Sequence, residues 1–332
     1  MHVLVTGGAG YIGSHTVRAL RAARHDVTVL DNLSAGHAPA VDPAAKLIVG
    51  DLEDPILLRD VFALRPVDAV MHFAASIEVG ESVRDPLKFY ANNVANSVNL
   101  LRAMQDAGVK RLVFSSTCAL YGAPETMPLT EDLPTRPESP YARAKLAVEW
   151  ALADSAAAWG LGYVALRYFN AAGAAADATI GEDHDPETHL IPNVLKVALG
   201  QAPHVTLFGT DYDTPDGTCI RDYIHVDDLA AAHVLAMSAI EPGRGRVFNT
   251  GTGQGASVHD VINTARSVTG HAIPVVEAPR RAGDVPRLYA DSSRLQRELG
   301  WTPRVPRLAD IIASAWAWHR AHPNGFDDRP RG

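Results

Sequence analysis

Apolar and polar positions fall into alternating blocks along the first half of the chain. Short runs that are apolar on both faces occur at residues 2–6, 27–30, 46–49, 69–74, 111–117 and 163–170. Such runs, without the alternation of a half-exposed strand, predict strands covered on both sides. Between them, helices are predicted at 14–24, 54–64, 86–107 and 141–159. Ser139 followed by Pro140 supplies an N-cap and a first helical position for the last of these. Strand and helix repeating at this spacing predict an α/β fold with a doubly wound parallel sheet.

Beyond Asn170 the pattern loosens. A small-residue loop at 171–178 is followed by an acidic, Pro-containing stretch at 180–189, and Gly, Pro and Asp punctuate 200–218. Helices are predicted at 227–238, 257–270, 291–299 and 308–321, and a strand at 247–249 that either part of the chain could own. The expected organisation is a first domain at 1–170, with return segments near 220–250, and a smaller, partly interleaved α/β substrate domain at 171–332. Residues 324–332 read as a frayed end.

Composition narrows the function classes. Thirty Lys and Arg against 38 Asp and Glu leave a net charge of -8, so neither nucleic acid nor an anionic membrane is expected as a partner. Cys118 and Cys219 are the only cysteines, too few for a disulfide framework and suited to a reducing compartment. Met1 and His2 lead straight into Val3-Leu4-Val5 without a basic leader, and no apolar run is long enough to span a bilayer. A cytoplasmic protein is expected.

The first strand ends in Gly7-Gly8-Ala9-Gly10-Tyr11-Ile12-Gly13, and the second ends at Asp31. Strand, glycine turn, helix, strand and acid make the dinucleotide fingerprint of a Rossmann-type fold, carried by Gly8, Gly10 and Gly13. The first glycines allow a tight turn and close approach to a pyrophosphate, and the helix N-terminus attracts the anion. A carboxylate at Asp31 accepts hydrogen bonds from ribose hydroxyls and repels a 2′-phosphate, which favours NAD over NADP. Asp51, after the third strand, either touches the adenine amine or serves as a plain loop or cap residue. Ala75-Ser76 are small enough to lie against a cofactor.

Tyr141 and Lys145 are four residues apart on a predicted helix and share one face. A phenol ionises near a pKa of about 10. A neighbouring ammonium stabilises the phenolate, and a second cation such as oxidised nicotinamide lowers the pKa further. Tyr141 is therefore a candidate general base. Thr117 closes the preceding strand at its carboxyl end, where open α/β sheets bind their ligands.

These stretches, together with Asp31–Ser34, Gly80-Glu81-Ser82, Asn92-Asn93-Val94, Phe114–Gly122, Arg167–Gly173, Asp216–Asp228 and Arg280–Asp284, resemble the extended short-chain dehydrogenase/reductases. Within that family the chain is most similar to the UDP-glucose (UDP-galactose) 4-epimerases. The resemblance implies NAD as cofactor, a UDP-hexose as substrate, and epimerisation at C4 through a transient 4-keto sugar. It makes Tyr141 the base, Lys145 the group on the nicotinamide ribose, and Thr117 a partner of the sugar 4-oxygen. It implies cofactor contacts from Gly7, Gly10, Tyr11, Ile12, Gly13, Asp31, Asn32, Asp51, Leu52, Phe73, Ala74, Ala75, Asn92 and Phe169. Arg221 and Arg281 would hold the diphosphate and Asp284 the uridine ribose, with Asn170, Val194 (through its backbone), Phe208, Tyr223 and Leu288 completing the substrate site.

Two positions depart from the family pattern. Ile77 stands where many of these epimerases place a Lys near the cofactor phosphates. Leu288 faces the sugar's 2-substituent, where a bulky Tyr disfavours N-acetylhexosamines and a small residue admits them; Leu implies preference for UDP-glucose and UDP-galactose with weak N-acetyl activity. Related dehydratases carry an Asp-Glu pair just after the strand-end Thr, and decarboxylating relatives a Glu at the Ala119 position. Here Cys118 and Ala119 follow Thr117. A non-catalytic NAD-binding regulator need not keep Thr117, Tyr141 and Lys145 together. His184 and His189 match no zinc spacing and read as polar loop residues, and the chemistry implied needs no metal. Cys118 reads as a small buried residue. The helices bearing Asn92 and Tyr141 pair across a two-fold axis in the family, which implies a homodimer.

Overall fold

Val3, Leu4 and Val5 expose no surface on either face, the condition for a central parallel strand with helices packed on both sides. In the computed structural model, residues 1–281 and 284–328 are described. Ala282 and Gly283 of the Arg280–Asp284 stretch, and 329–332 of the C-terminal end, lie outside the described residues.

The chain runs β1 (His2–Thr6), α1 (Tyr11–Ala22), β2 (Asp26–Asp31), β3 (Lys46–Val49), α2 (Pro55–Leu64) and β4 (Ala69–His72). It continues through α3 (Val79–Arg84), α4 (Pro86–Phe89), a π-type turn at Tyr90–Ala95, α5 (Asn96–Asp106), β5 (Arg111–Thr117), α6 (Pro140–Trp159) and β6 (Gly162–Tyr168). Then come β7 (Asn170–Ala172), α7 (Leu190–Ala198), β8 (Val205–Phe208), β9 (Ile220–His225), α8 (Val226–Ser238) and β10 (Gly245–Thr250). The chain closes with β11 (Gly255–Ser257), α9 (Val258–Thr269), β12 (Val275–Ala278), β13 (Arg287–Leu288), α10 (Ser293–Leu299) and α11 (Leu308–Ala321).

Seven strands form one parallel sheet in the order β10-β6-β5-β4-β1-β2-β3. The doubly wound α/β expectation holds. Strand alternation splits the core between the faces: Val3, Val5 and Val29 pack with residues of α1 and α8, while Leu4, Val70 and Leu112 pack with α2, α5 and α6. The late strand β10 joins this sheet beside β6. A second sheet is built on β9, which pairs with β7, β11 and β13, and β8 pairs with β12. A third core gathers Val194, Ile262 and Ile312 from α7, α9 and α11. No helix among the described residues is long and apolar enough to cross a membrane.

Four expectations need correction. The predicted helix at 86–107 is interrupted by the wide turn at Tyr90–Ala95. There Asn93 accepts a hydrogen bond from the Ser76 backbone N–H at 2.8 Å and donates to the Ser76 carbonyl at 2.9 Å. Propensity favours helix throughout; the pull of Asn93 on the loop after β4 resets the winding, as π-turns do beside functional sites. The predicted strand at 163–170 breaks at Phe169, because Asn170–Ala172 leaves the large sheet to pair with β9. The strand expected at 69–74 stops at His72, where Phe73 and Ala74 turn their N–H groups onto the Thr6 carbonyl. The described part of the end expected to fray is held: Phe326 is buried against Trp318, and Asp328 meets His37 at 2.8 Å.

Candidate active site

The glycine loop is shaped from within. Gly7 has φ +73°, and a Cβ there would meet the Ala74 backbone nitrogen at 2.4 Å; at Gly13 one would meet the Gly7 carbonyl oxygen at 2.1 Å. Gly10 differs. A Cβ at Gly10 would find only the Gly7 oxygen, at 3.5 Å, so the protein's own packing does not require glycine there. The space it leaves lies at the N-terminus of α1, whose first turn has no capping side chain and no acidic residue. Exposed N–H groups beside an open cradle suit a pyrophosphate.

Asp31 ends β2 nearly buried, accepting from the Ala9 N–H and the Leu33 N–H at 2.9 Å each. Each carboxylate oxygen is thus held by one backbone N–H and keeps a further lone pair. Asp51 accepts from Asn32 at 2.6 Å and from Asn96 at 3.3 Å, and it also takes the plain loop role by accepting from the Glu53 N–H at 2.9 Å. Leu52 is buried beside it. Asn92 reaches Ser76 at 3.0 Å, which brings the π-turn over Ala74 and Ala75. Tyr11 donates to the Gly173 carbonyl at 2.7 Å, and Ile12 and Phe73 pack on the core below. Ile77 is exposed. The residues present thus fit a dinucleotide.

Thr117 stands at the carboxyl end of β5, accepting from the Ala119 N–H at 3.2 Å. The Ser139 hydroxyl caps α6 through the Ala142 N–H at 3.2 Å, with Pro140 opening the helix. Tyr141, Lys145 and Glu149 follow at successive four-residue steps on one face. Lys145 is buried and donates to the Ser115 carbonyl at 2.9 Å, and burial brings its ammonium down to about 7. Burial pushes the Tyr141 phenol well above its usual range, the neighbouring Tyr168 adds to the rise, and the nearby Thr117 hydroxyl pulls the other way. Lys145 is not what moves it. The lowered Tyr141 expected from the Lys145 ammonium is therefore corrected: within the protein itself, desolvation dominates.

On the substrate side, Arg221 of β9 donates to the Ile220 and Val285 carbonyls at 2.9 and 2.8 Å and lies 3.8 Å from Asp284. Its charge acts on the neighbouring Cys118. Leu288 sits opposite Arg221 in the β9–β13 pairing and packs with Phe169 and Tyr121. Arg281 stacks over Phe208 at 3.9 Å from the ring centre. Asn170 pairs with Tyr223 across β7 and β9. Val194 and Tyr223 differ from these: both side chains are buried in the third core, so only backbone of Val194 is on offer and Tyr223 acts as packing. Burial lifts the Cys118 thiol to about 12, in keeping with an inert residue.

Several functional supports were not foreseen. Glu149 accepts from Arg167 at 3.0 and 2.6 Å and from Ser116 at 2.6 Å, all buried. Arg167 also donates to Tyr121 at 3.0 Å, and Tyr121 to Asn249 at 2.7 Å. Glu149 was open to detection as the next four-step after Lys145. His72 bridges Thr6 and Ser97 at 2.7 and 2.8 Å, and burial followed by the Lys145 charge lowers it to about 3, which keeps it neutral. Asp222 accepts from Thr252, Gly253 and Ala290 N–H groups, closing the floor under β13. His184 and His189 are not separate loop residues: with Glu182 and Glu187 they form a partly buried cluster.

Removing one member of a buried ion pair strands its partner and costs about 3 kcal/mol or more. Glu149→Ala is expected to lower the urea-unfolding free energy by about that amount, and adding Arg167→Met to recover most of it. Equal stability of wild type and Glu149→Ala would disprove this role.

The model of the NAD dependent epimerase/dehydratase family matches residues 3–251. A UDP-glucose 4-epimerase of Lactobacillus helveticus is 51% identical over 330 residues, spanning 99% of this chain and 100% of that protein. A crystal structure of a UDP-glucose 4-epimerase superposes with a TM-score of 0.95 at 48% identity, covering 99% of this chain and 100% of its own. A UDP-glucose 4-epimerase from Bifidobacterium longum, solved with NAD+ and UDP, gives a TM-score of 0.95 at 41% identity over 98% of this chain and 100% of that one. With its glycine cradle, its Thr117–Tyr141–Lys145 edge and these likenesses along the whole chain, the protein belongs to the NAD dependent epimerase/dehydratase family.

Proposed function

We propose that the chain interconverts UDP-galactose and UDP-glucose by NAD-dependent epimerisation at C4. The observation that carries this reading is the placing of Thr117, at the carboxyl end of β5, beside the face of α6 that carries Tyr141 and, one helical turn on, Lys145. The NAD+ and UDP bound by the Bifidobacterium relative support carrying both ligands over.

When bound, NAD supplies the acceptor for the C4 hydride, returns that hydride, and in its oxidised form adds a positive charge near the phenol. Tyr141 takes the proton of the 4-hydroxyl as the C4–H bond breaks and gives it back as the bond re-forms on the other face. Thr117 holds the 4-oxygen. Lys145, fixed by the Ser115 carbonyl, is set to hold the nicotinamide ribose. Arg221 and Arg281 grip the diphosphate and Asp284 the uridine ribose, so the 4-keto ring turns over while its handle stays put. Neither Cys118 nor Ala119 supplies the acid that elimination or decarboxylation would need at that strand end.

In this reading the cofactor part comprises 1–170 with a return near 220–250, and 171–332 holds the nucleotide sugar. Two free cysteines suit a cytoplasmic setting. A homodimer is supported by Val83, Leu87, Tyr90 and Trp150, exposed along α3, α4, the π-turn and α6.

Purified protein given UDP-galactose should form UDP-glucose without net consumption of NAD, and Tyr141→Phe should reduce kcat at least about 100-fold. A 4-keto-6-deoxy product, released carbon dioxide, or undiminished turnover by Tyr141→Phe would refute the assignment. The protein should turn over UDP-N-acetylhexosamines slowly, and Leu288→Gly should raise that rate at least about 10-fold. Equal wild-type turnover of both sugar pairs would refute the preference. Light scattering at micromolar concentration should give a dimer mass, and a monomer for Leu87→Asp/Trp150→Asp; a monomeric wild type would overturn the homodimer.

A further inference from the structure

The segment between the small-residue loop and α7 draws together two imidazoles and two carboxylates. The ligand atoms of Glu182, His184, Glu187 and His189 all lie within 4.8 Å of one another. His184 Nδ1 is 3.4 Å from Glu182 and 3.6 Å from Glu187, and His189 Nδ1 is 2.9 and 3.0 Å from the same two carboxylates. The two pairs are not equivalent. His189 makes hydrogen-bond distances, whereas His184 Nδ1 is buried with no hydrogen-bond partner and is aimed at the centre of the four. A buried ring nitrogen without a partner is costly and asks for an explanation.

We propose that these four side chains form a closed, structural binding site for one divalent cation of zinc type. A tetrahedron with metal–ligand bonds of about 2.1 Å has six edges of about 3.4 Å; Glu182 Oε1 makes two of them, 3.4 Å to His184 and 2.9 Å to His189, while Glu187 lies 3.6 Å from His184 through Oε2 and 3.0 Å from His189 through Oε1, so a turn of its carboxylate presents a single ligand atom to both. Two neutral imidazoles and two carboxylates bring a ligand charge that balances a dication, and the mixed nitrogen and oxygen set suits zinc better than calcium or magnesium. Small shifts of the His189 and carboxylate rotamers open the short edges. A cleft of about 190 Å³, lined by Glu182, His184, Glu187, Lys196 and His319 among others, gives the cation a way in. Lys196 and His319 are not in the ligand set; the Lys196 charge limits affinity rather than geometry, and burial keeps His319 toward its neutral form.

The position gives the site a task. His189 immediately precedes α7, the helix that carries Val194. The His184 ring packs edge-on against Tyr11, with centroids 6.3 Å apart, and Tyr11 belongs to the glycine loop. A cation here ties the entrance of α7 to the turn that cradles the pyrophosphate. With all four positions filled by protein, no site is open to substrate, and the ion takes no part in the C4 chemistry.

The test uses tag-free holoprotein, stripped with chelator and titrated with Co²⁺. One Co²⁺ per chain, with the intense visible bands of a tetrahedral centre and displacement by one equivalent of Zn²⁺, is the expected result. Loss of an outer-shell partner costs roughly 10- to 100-fold in metal affinity, so His184→Ala is expected to cost at least about 100-fold, and Glu187→Gln a similar amount, with bound NAD retained. Should either variant fail to fold, crystals of wild type grown with Zn²⁺ and measured at its absorption edge give the same answer through an anomalous peak among the four side chains. Absence of tetrahedral bands, Co²⁺ binding undiminished in His184→Ala, or no anomalous peak with His189 still bonded to both carboxylates would overturn the proposal.

Discussion

The active edge of this protein depends on one buried contact, the paired hydrogen bonds of Arg167 on the Glu149 carboxylate. Glu149 lies on α6 in the same stripe as Tyr141 and Lys145, and Arg167 lies on β6. Ser116 of β5 donates to the same carboxylate. One side chain therefore locks the helix that carries the candidate base onto both strands whose ends carry Thr117 and Phe169. A buried pair of this kind adds little net stability, because desolvation offsets most of the attraction, yet it is costly to break. Its worth is register. A rotation of α6 that moved Tyr141 away from Thr117 would leave two charges unpaired in the core.

From that lock the site extends in two directions by different means. Toward the cofactor, backbone does the shaping: Gly7 and Gly13 have no room for a Cβ, while Gly10 faces open space above an uncapped helix. Toward the sugar, the chain changes sheets. The break at Phe169 ends β6 in the large sheet and sends Asn170–Ala172 to β9. The two binding surfaces thus meet at a single residue step, and the strand-end Thr117 faces that junction from β5.

The parallel sheet was legible because strands buried on both faces leave continuous apolar runs, and because a glycine turn followed by an acid at the next strand end has few other uses. The placing of Thr117 at a strand end and of Tyr141 and Lys145 on one helix was legible through spacing and position. What escaped has a common physical form. The π-turn, the Glu149–Arg167 pair and the Asp222 floor are set by partners on other elements, and Glu182 meets His189 only through the folding of the loop between them. Each residue alone is an ordinary helix or loop residue, and its meaning comes from what tertiary packing places opposite it. The end at Phe326 was misread for the same reason: polar neighbours suggested fraying, and one aromatic ring on Trp318 holds it.

The electrostatics of the edge explain how a phenol so deeply resistant to ionisation can still act as a base. Burial drives three groups there toward their neutral forms, His72 to about 3, Lys145 to about 7 and Tyr141 upward, while Arg167 is held charged by Glu149. In surroundings of lower dielectric than water, a unit positive charge near the phenol acts more strongly than it would in solvent. The sign is favourable only when that charge is present, since a cation lowers a phenol's pKa and its loss restores the burial shift. An oxidised nicotinamide beside Tyr141 would favour the phenolate, the form that can accept a proton, and loss of its charge would favour the protonated phenol. That is the order in which an epimerase must first remove the 4-hydroxyl proton and then give it back. The same desolvation that opposes ionisation thus times it, and a more exposed tyrosine, screened by water, would respond less to the change.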